Sequence, residues 1–260
     1  MRETTTDTVG CNCFKIFATR GGETLYRFTA NSMNDDTEPL TMTTTHPSTE
    51  TNRTDERWAI DYDVDPIRIR DPVAEALGVL EPGAPFVITY ADVVRAAGHS
   101  CPTAAGAFRL AQDGLDALYP GEEYPVRSDV DVLLPEPRSD PTYGVTSRLL
   151  SYVTGAAAED GFGGLAGGYG GRRDRLRFDA FDAGPEPTIR LRRCDTDEAV
   201  EATYHTGSIP DGGPAVGHLT AIVEGTATDE QRAAFAEAWH GRVRAVLADE
   251  ALVSVDGIDG

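Results

Sequence analysis

The chain has 260 residues, with 43 Asp and Glu against 23 Lys and Arg, a formal net charge of −20. So acidic a chain repels phosphate backbones, which argues against a non-specific nucleic-acid binder. There is no run of 18 apolar residues to span a membrane and no charged-then-apolar leader, so a cytoplasmic protein with no membrane partner is expected.

Lys15 is the only lysine; the other 22 basic residues are arginine. Acidic excess with almost no lysine points to a salt-rich cytoplasm, where carboxylates hold hydration water and salt screens their repulsion. GC-rich coding also favours arginine over lysine, but does not by itself explain −20. Four cysteines, Cys11, Cys13, Cys101 and Cys194, do not make a disulfide framework.

Residues 1–57 differ from the rest of the chain. Fifteen threonines fall within the first 54 residues, together with the lysine and all three methionines, Met1, Met33 and Met42. No helical or strand period persists there, so a disordered low-complexity tail is expected, with Met33 and Met42 as alternative starts. Cys11 and Cys13 lack the second pair that a zinc ribbon needs. Residues 1–56 hold five positive and nine negative charges, leaving −16 on the remainder.

From Pro66 to Pro72 the pattern alternates, and Val73 to Leu80 has helical spacing. Phe86–Tyr90 is a short apolar run, read as a strand or an extended entry. Ala91–Ala97 reads as a helix stopped by Gly98. Pro102 suits the first turn of a longer helix, whose stripe is Ala104, Phe108, Ala111, Leu115 and Leu118. Val130, Val132 and Leu134 suggest a strand, and Gly144–Val153 a helix. A loop from Gly155 to Gly171 carries eight glycines in 17 residues. Leu176–Phe181 reads as a strand, Thr188–Arg192 as its partner, and Ala199–Tyr204 as another. Thr228 and Gln231 have capping-box spacing and open a final helix with Phe235, Trp239, Val243, Val246 and Leu247 on one stripe. The expected fold class is α+β, a mixed sheet with packed helices over residues 58–225. The helix of 226–260 then packs on that domain or on a partner subunit.

Gly98-His99-Ser100-Cys101-Pro102 is the sharpest local signal. Proline at the first helical position puts Cys101 at the N-cap, where free backbone N–H groups face the sulfur and favour thiolate. His99, two residues away, shares a metal with such a thiolate or exchanges a proton with it. The glycine loop is the second candidate: Gly163 and Gly164 let a backbone approach a ligand, and Arg172 and Arg173 follow as anion contacts. It lacks the Gly-Lys-Ser/Thr of a P-loop. His205, His218 and His240 are scattered, and no Ser-His-Asp order is defensible.

The run Gly98-His99-Ser100-Cys101-Pro102-Thr103-Ala104-Ala105-Gly106-Ala107-Phe108-Arg109 resembles the signature of the FmdE family, named for the E component of formylmethanofuran dehydrogenase, with Thr103 in place of a usual glycine. The likeness covers roughly residues 66 to 205. It implies an α+β domain, often dimeric, with a bound metal, usually zinc, near the His-x-Cys turn, and it adds Arg109 to the substrate-binding set. Tyr143 and Ala156 stand where a better-known branch has cysteines, so a third ligand must come from His205, Cys194, a carboxylate or another subunit. The expected function is a zinc-binding protein with His99 and Cys101 as metal-binding and catalytic residues, acting on a small anionic substrate as a homodimer. The alternatives are an accessory subunit of a larger oxidoreductase and a metal-free cysteine-thiol enzyme.

Overall fold

A computed structural model describes residues 56–121 and 123–258, so the expected tail, Cys11, Cys13 and the alternative starts lie outside the described residues. Trp58–Gly260 forms one compact unit. It is α+β, as the sequence predicts.

Strand β1 (Ile67–Ile69) leads into helix α1 (Pro72–Ala76). The Asp71 side chain caps α1 by accepting from Val73 and Ala74 N–H, and Pro72 sits at the first helical position. The helix ends at Ala76, not Leu80, because Gly78 turns left-handed at φ 71°. Strand β2 (Phe86–Ile88) pairs antiparallel with β1. Tyr90 belongs to the next helix, α2 (Tyr90–Ala97), because Thr89 and Asp92 form a capping box one residue earlier than the apolar run suggested.

Helix α3 (Pro102–Leu118) is the centre of the unit. All five residues of its expected stripe are buried, and so are Ala105, Gly106, Ala107 and Leu110, because α3 is covered on several sides. It packs on the sheet and on α2, α4 (Pro141–Thr154) and α6 (Asp229–Ala248). Its glycines explain how closely it meets the sheet. A Cβ at Gly106 would lie 2.3 Å from the Tyr204 ring, and one at Gly114 would lie 2.8 Å from Leu191.

The five-stranded sheet has the order β4-β3-β5-β6-β7, with β3 Val130–Leu133, β4 Leu176–Arg177, β5 Thr188–Arg193, β6 Ala199–Tyr204 and β7 Val253–Ile258. The sequence made β4 and β5 partners; the structure puts β3 between them. β4 pairs parallel with β3, matching Leu176 to Val132, and β5 pairs antiparallel on the other side, matching Leu191 to Val132. β4 has two residues rather than six, since Asp179 turns left-handed at φ 50°. Asp131 on β3 holds this end together. It is buried and meets Arg192 at 2.6 Å, Arg175 at 3.1 Å and Arg177 at 3.4 Å.

A short helix, α5 (Leu219–Val223), precedes α6. Thr228 and Gln231 do form the capping box of α6, and Val243, Val246 and Leu247 are buried. The chain then enters β7, an edge strand paired with β6 from Ala199 to Tyr204, which was not anticipated. Among the described residues no helix is long and apolar enough to cross a membrane.

Candidate functional site

The Gly98–Pro102 turn is built as the residues require. Gly98 ends α2 in the left-handed region, φ 76°, and Cys101 starts α3 as an extended N-cap residue followed by Pro102. The Ala104 N–H donates to Cys101 Sγ at 3.3 Å. Cys101 is partly buried against the core, whereas His99 is exposed. The His99 Nδ1–H donates to the Ala97 carbonyl at 3.1 Å, which fixes the tautomer and leaves the Nε2 lone pair available.

Ser100, between them, is held from three directions. Its Oγ bonds Tyr62 OH at 2.8 Å and Tyr90 OH at 3.0 Å, and its carbonyl accepts Trp239 Nε1–H at 2.9 Å. Tyr62 OH also bonds His240 Nδ1 at 2.6 Å, and Tyr204 OH donates to the Pro102 carbonyl at 3.1 Å. Burial raises the pKa of all three phenols. Burial, then the Arg244 charge, lowers that of His240. The whole cluster is therefore uncharged at neutral pH, a rigid neutral frame around a turn that carries the imidazole and the thiol.

The expected third metal ligands are engaged elsewhere. His205 Nε2 bonds Ser254 Oγ at 2.9 Å. Cys194 accepts from Arg175 and bonds Asp131 Oδ1 at 3.3 Å; burial and then Asp131 push its thiol up to about 11. Among the described residues no three His, Cys, Asp or Glu side chains form a group able to hold a metal ion. One chain thus presents two donors of the zinc-binding kind and no third among the described residues. Tyr143 and Ala156 are both buried, and Tyr143 OH accepts the Thr188 N–H at 2.8 Å.

Arg109, expected to bind substrate, is buried and takes a packing role. It donates to the Leu247 carbonyl at 2.9 Å and pairs with Asp113 at 2.8 Å, tying α3 to the C-terminal end of α6.

The glycine loop does not act as one site. Arg172 points into a pair with Asp71, at 2.5 Å, and lines an open cleft of about 940 Å³ along α4. Arg173 and Gly163 line a smaller depression of about 310 Å³ that adjoins the cleft at Phe162. Gly164 has φ 93°, and a Cβ there would lie 2.4 Å from the Gly168 backbone. That glycine lets the loop close on itself rather than on a ligand. No residue of the Gly98–Pro102 turn lines either hollow. Sequence reasoning missed Arg127, whose guanidinium donates to the Val153 and Tyr152 carbonyls at 2.9 and 2.6 Å and lies 3.6 Å from Asp71. No local motif marks it.

No protein-family model matches the chain, and no curated protein matches it either.

Proposed function

We propose that the Gly98–Pro102 turn is the working site of a zinc-binding protein similar to the FmdE family. One observation carries this reading. Both donors on the turn already make the outer hydrogen bond that orients a metal ligand. The His99 Nδ1–H is tied to a carbonyl, and Cys101 Sγ receives a backbone N–H. Each is left with a lone pair for a ligand. His99 Nε2 and Cys101 Sγ are the two protein donors, and the remaining positions fall to water, substrate or a second copy of the chain. This is why a homodimer belongs to the proposal. A zinc ion there would supply Lewis acidity or a bound water of lowered pKa.

The burial of Tyr143 and Ala156 favours a second reading, in which the domain is an accessory subunit that keeps the fold without the metal. Elemental mass spectrometry separates the two. The full chain is purified as Cys11→Ser/Cys13→Ser, so that thiols outside the turn do not contribute, and is then loaded with zinc and desalted. Up to about one zinc per chain is expected, lost in both His99→Ala and Cys101→Ala. Zinc retained in both variants, or none bound by the parent, overturns the proposal. In the second case the alkylation rate of Cys101 decides between a thiol enzyme and a scaffold.

A further inference from the structure

The cleft along α4 stands out in a chain that has almost two acids for each base. Its wall carries Arg127, Arg138, Arg148 and Arg172 against Asp140 and Asp160. Asp71 behind the wall and Glu159 at its rim also pair with these arginines, so the local charge is balanced, four against four, in a chain that is elsewhere strongly acidic. The Asp140 carboxylate caps α4, accepting from the Thr142 and Tyr143 N–H groups, and does not bond any of the four guanidiniums.

The four arginines are unevenly paired. Asp71, buried behind them, is shared by Arg127 and Arg172, so two guanidiniums face one carboxylate. Arg172 Nε is buried and has no hydrogen-bond partner among the described residues. Arg148 is exposed and makes no hydrogen bond or ion pair among the described residues. Arg138 reaches Glu159 only at 3.9 Å, with both side chains largely in solvent. Gly155 gives the two inner arginines their room: a Cβ there would lie 3.1 Å from Arg172 Cδ and 3.4 Å from Arg127 Cδ. Two exposed aromatic rings, Phe162 at 44% and Tyr152 at 42%, line the same cleft.

We propose that this cleft binds a phosphate monoester carrying a flat ring, of mononucleotide size. The oxygens of a phosphate dianion accept from several guanidiniums at once, where a carboxylate is satisfied by one fork. The exposed rings of Phe162 and Tyr152 offer the faces on which a flat ring stacks. The volume is within the range of small-molecule sites, roughly 300–1,000 Å³. The site is independent of the metal reading, since it shares no residue with the Gly98–Pro102 turn.

Isothermal titration calorimetry on the full chain at low ionic strength tests it, with AMP, ribose 5-phosphate, adenosine and inorganic phosphate as probes. Saturable AMP binding is expected, with ribose 5-phosphate weaker and adenosine weakest. Arg148→Ala, a surface change that breaks no internal contact, weakens AMP at least about ten-fold. Phe162→Ala weakens AMP but leaves ribose 5-phosphate unchanged. Failure of AMP to bind overturns the proposal. So does AMP affinity unaltered in both Arg148→Ala and Arg138→Ala, or adenosine binding as tightly as AMP. Equal affinity for AMP and ribose 5-phosphate overturns the ring-binding half.

Discussion

Gly106→Ala tests how the fold holds the site. Gly106 lies in the second turn of α3, five residues after Cys101, where the helix meets β6. Its missing side chain is filled by Tyr204, whose ring atoms would lie 2.3, 2.5 and 2.8 Å from an added Cβ. Carbon atoms pack at about 3.5–4.0 Å, so the ring has to retreat by more than about 1 Å. Tyr204 is 4% exposed and has little room to do so. Two terms favour alanine: about 1 kcal/mol of helix propensity and about 0.8 kcal/mol for the buried methyl. Against them stand overpacking, at the upper end of about 1–3 kcal/mol, and about 1 kcal/mol for the Tyr204 OH bond to the Pro102 carbonyl, which the retreat breaks. The clash wins, and Gly106→Ala should lose about 2 kcal/mol in urea unfolding. The sign reverses once the ring is gone: in a Tyr204→Ala background the same substitution should be neutral or stabilising. An equal cost in both backgrounds would refute the assignment of Gly106 to close approach by Tyr204.

Asp131→Asn should cost about 2 kcal/mol, less than a fully buried pair because its three arginines are partly exposed and water takes up some of the loss. Burial alone would raise the Asp131 pKa, but the bonds from Arg192, Cys194 and Arg175 and the charge of Arg177 outweigh it and hold the carboxyl below its usual value of 3.8. Its stabilisation is therefore present above 3.8 and lost as pH falls through the lower folded value, so the wild type should lose more stability on acidification than Asp131→Asn; parallel curves would refute this. His240 shows a window nearer neutrality. Its folded pKa lies below 6.5, so the unfolded chain takes up the proton first, and stability falls as pH drops from 6.5 to the folded value. His240→Gln should flatten the fall in denaturation midpoint below pH 6.5, and an unchanged slope would count against the partial burial of the His240 ring. Cys194, raised to about 11, should alkylate at pH 8 on the order of 100-fold more slowly than an unperturbed cysteine in site-resolved mass spectrometry. Fast labelling would mean that the burial and the Asp131 contact that raise it do not hold in solution.

The parts of the fold that the sequence announces are those set by neighbours within a turn or two. The N-cap at Cys101, the stop at Gly98, the stripe of α3 and the capping box at Thr228 are local chemistry, and each stands where its residue types demand. The misplaced strand pairing is non-local. Leu176–Arg177 and Thr188–Arg193 are near in sequence and both apolar on alternate positions, but both find a better partner in β3, whose Asp131 takes arginines from each side. β7 did carry a signal, Val253 and Val255 alternating with Ser254 and Asp256, but it follows a long helix with no hairpin turn to mark it. The frame of the candidate site was the least legible. Ser100 is gripped by Tyr62, 38 residues upstream, and by Trp239, 139 residues downstream, and no spacing rule connects such positions.

The arginines show why lysine is so scarce in the described unit. Several of them hold an acid or a carbonyl through more than one nitrogen. Arg70 does so with Glu75, Arg109 with Asp113 and the end of α6, Arg127 with the end of α4, and Arg193 with Asp195 and Glu123. A lysine ammonium is a point charge and cannot reproduce such forks. Two buried aspartates, Asp71 and Asp131, each face more guanidiniums than one carboxylate balances. They differ in what else is near. Around Asp131 the excess is answered by Asp197, 4.0 Å from Arg192, and by Asp129 within the field of Arg175. Around Asp71 the two guanidiniums share that single acid and open onto the cleft, with Arg148 beyond them unpaired among the described residues. Arg148 and the loosely held Arg138 keep N–H groups for an acceptor there, and the oxygens of an anion from solution are what would take them.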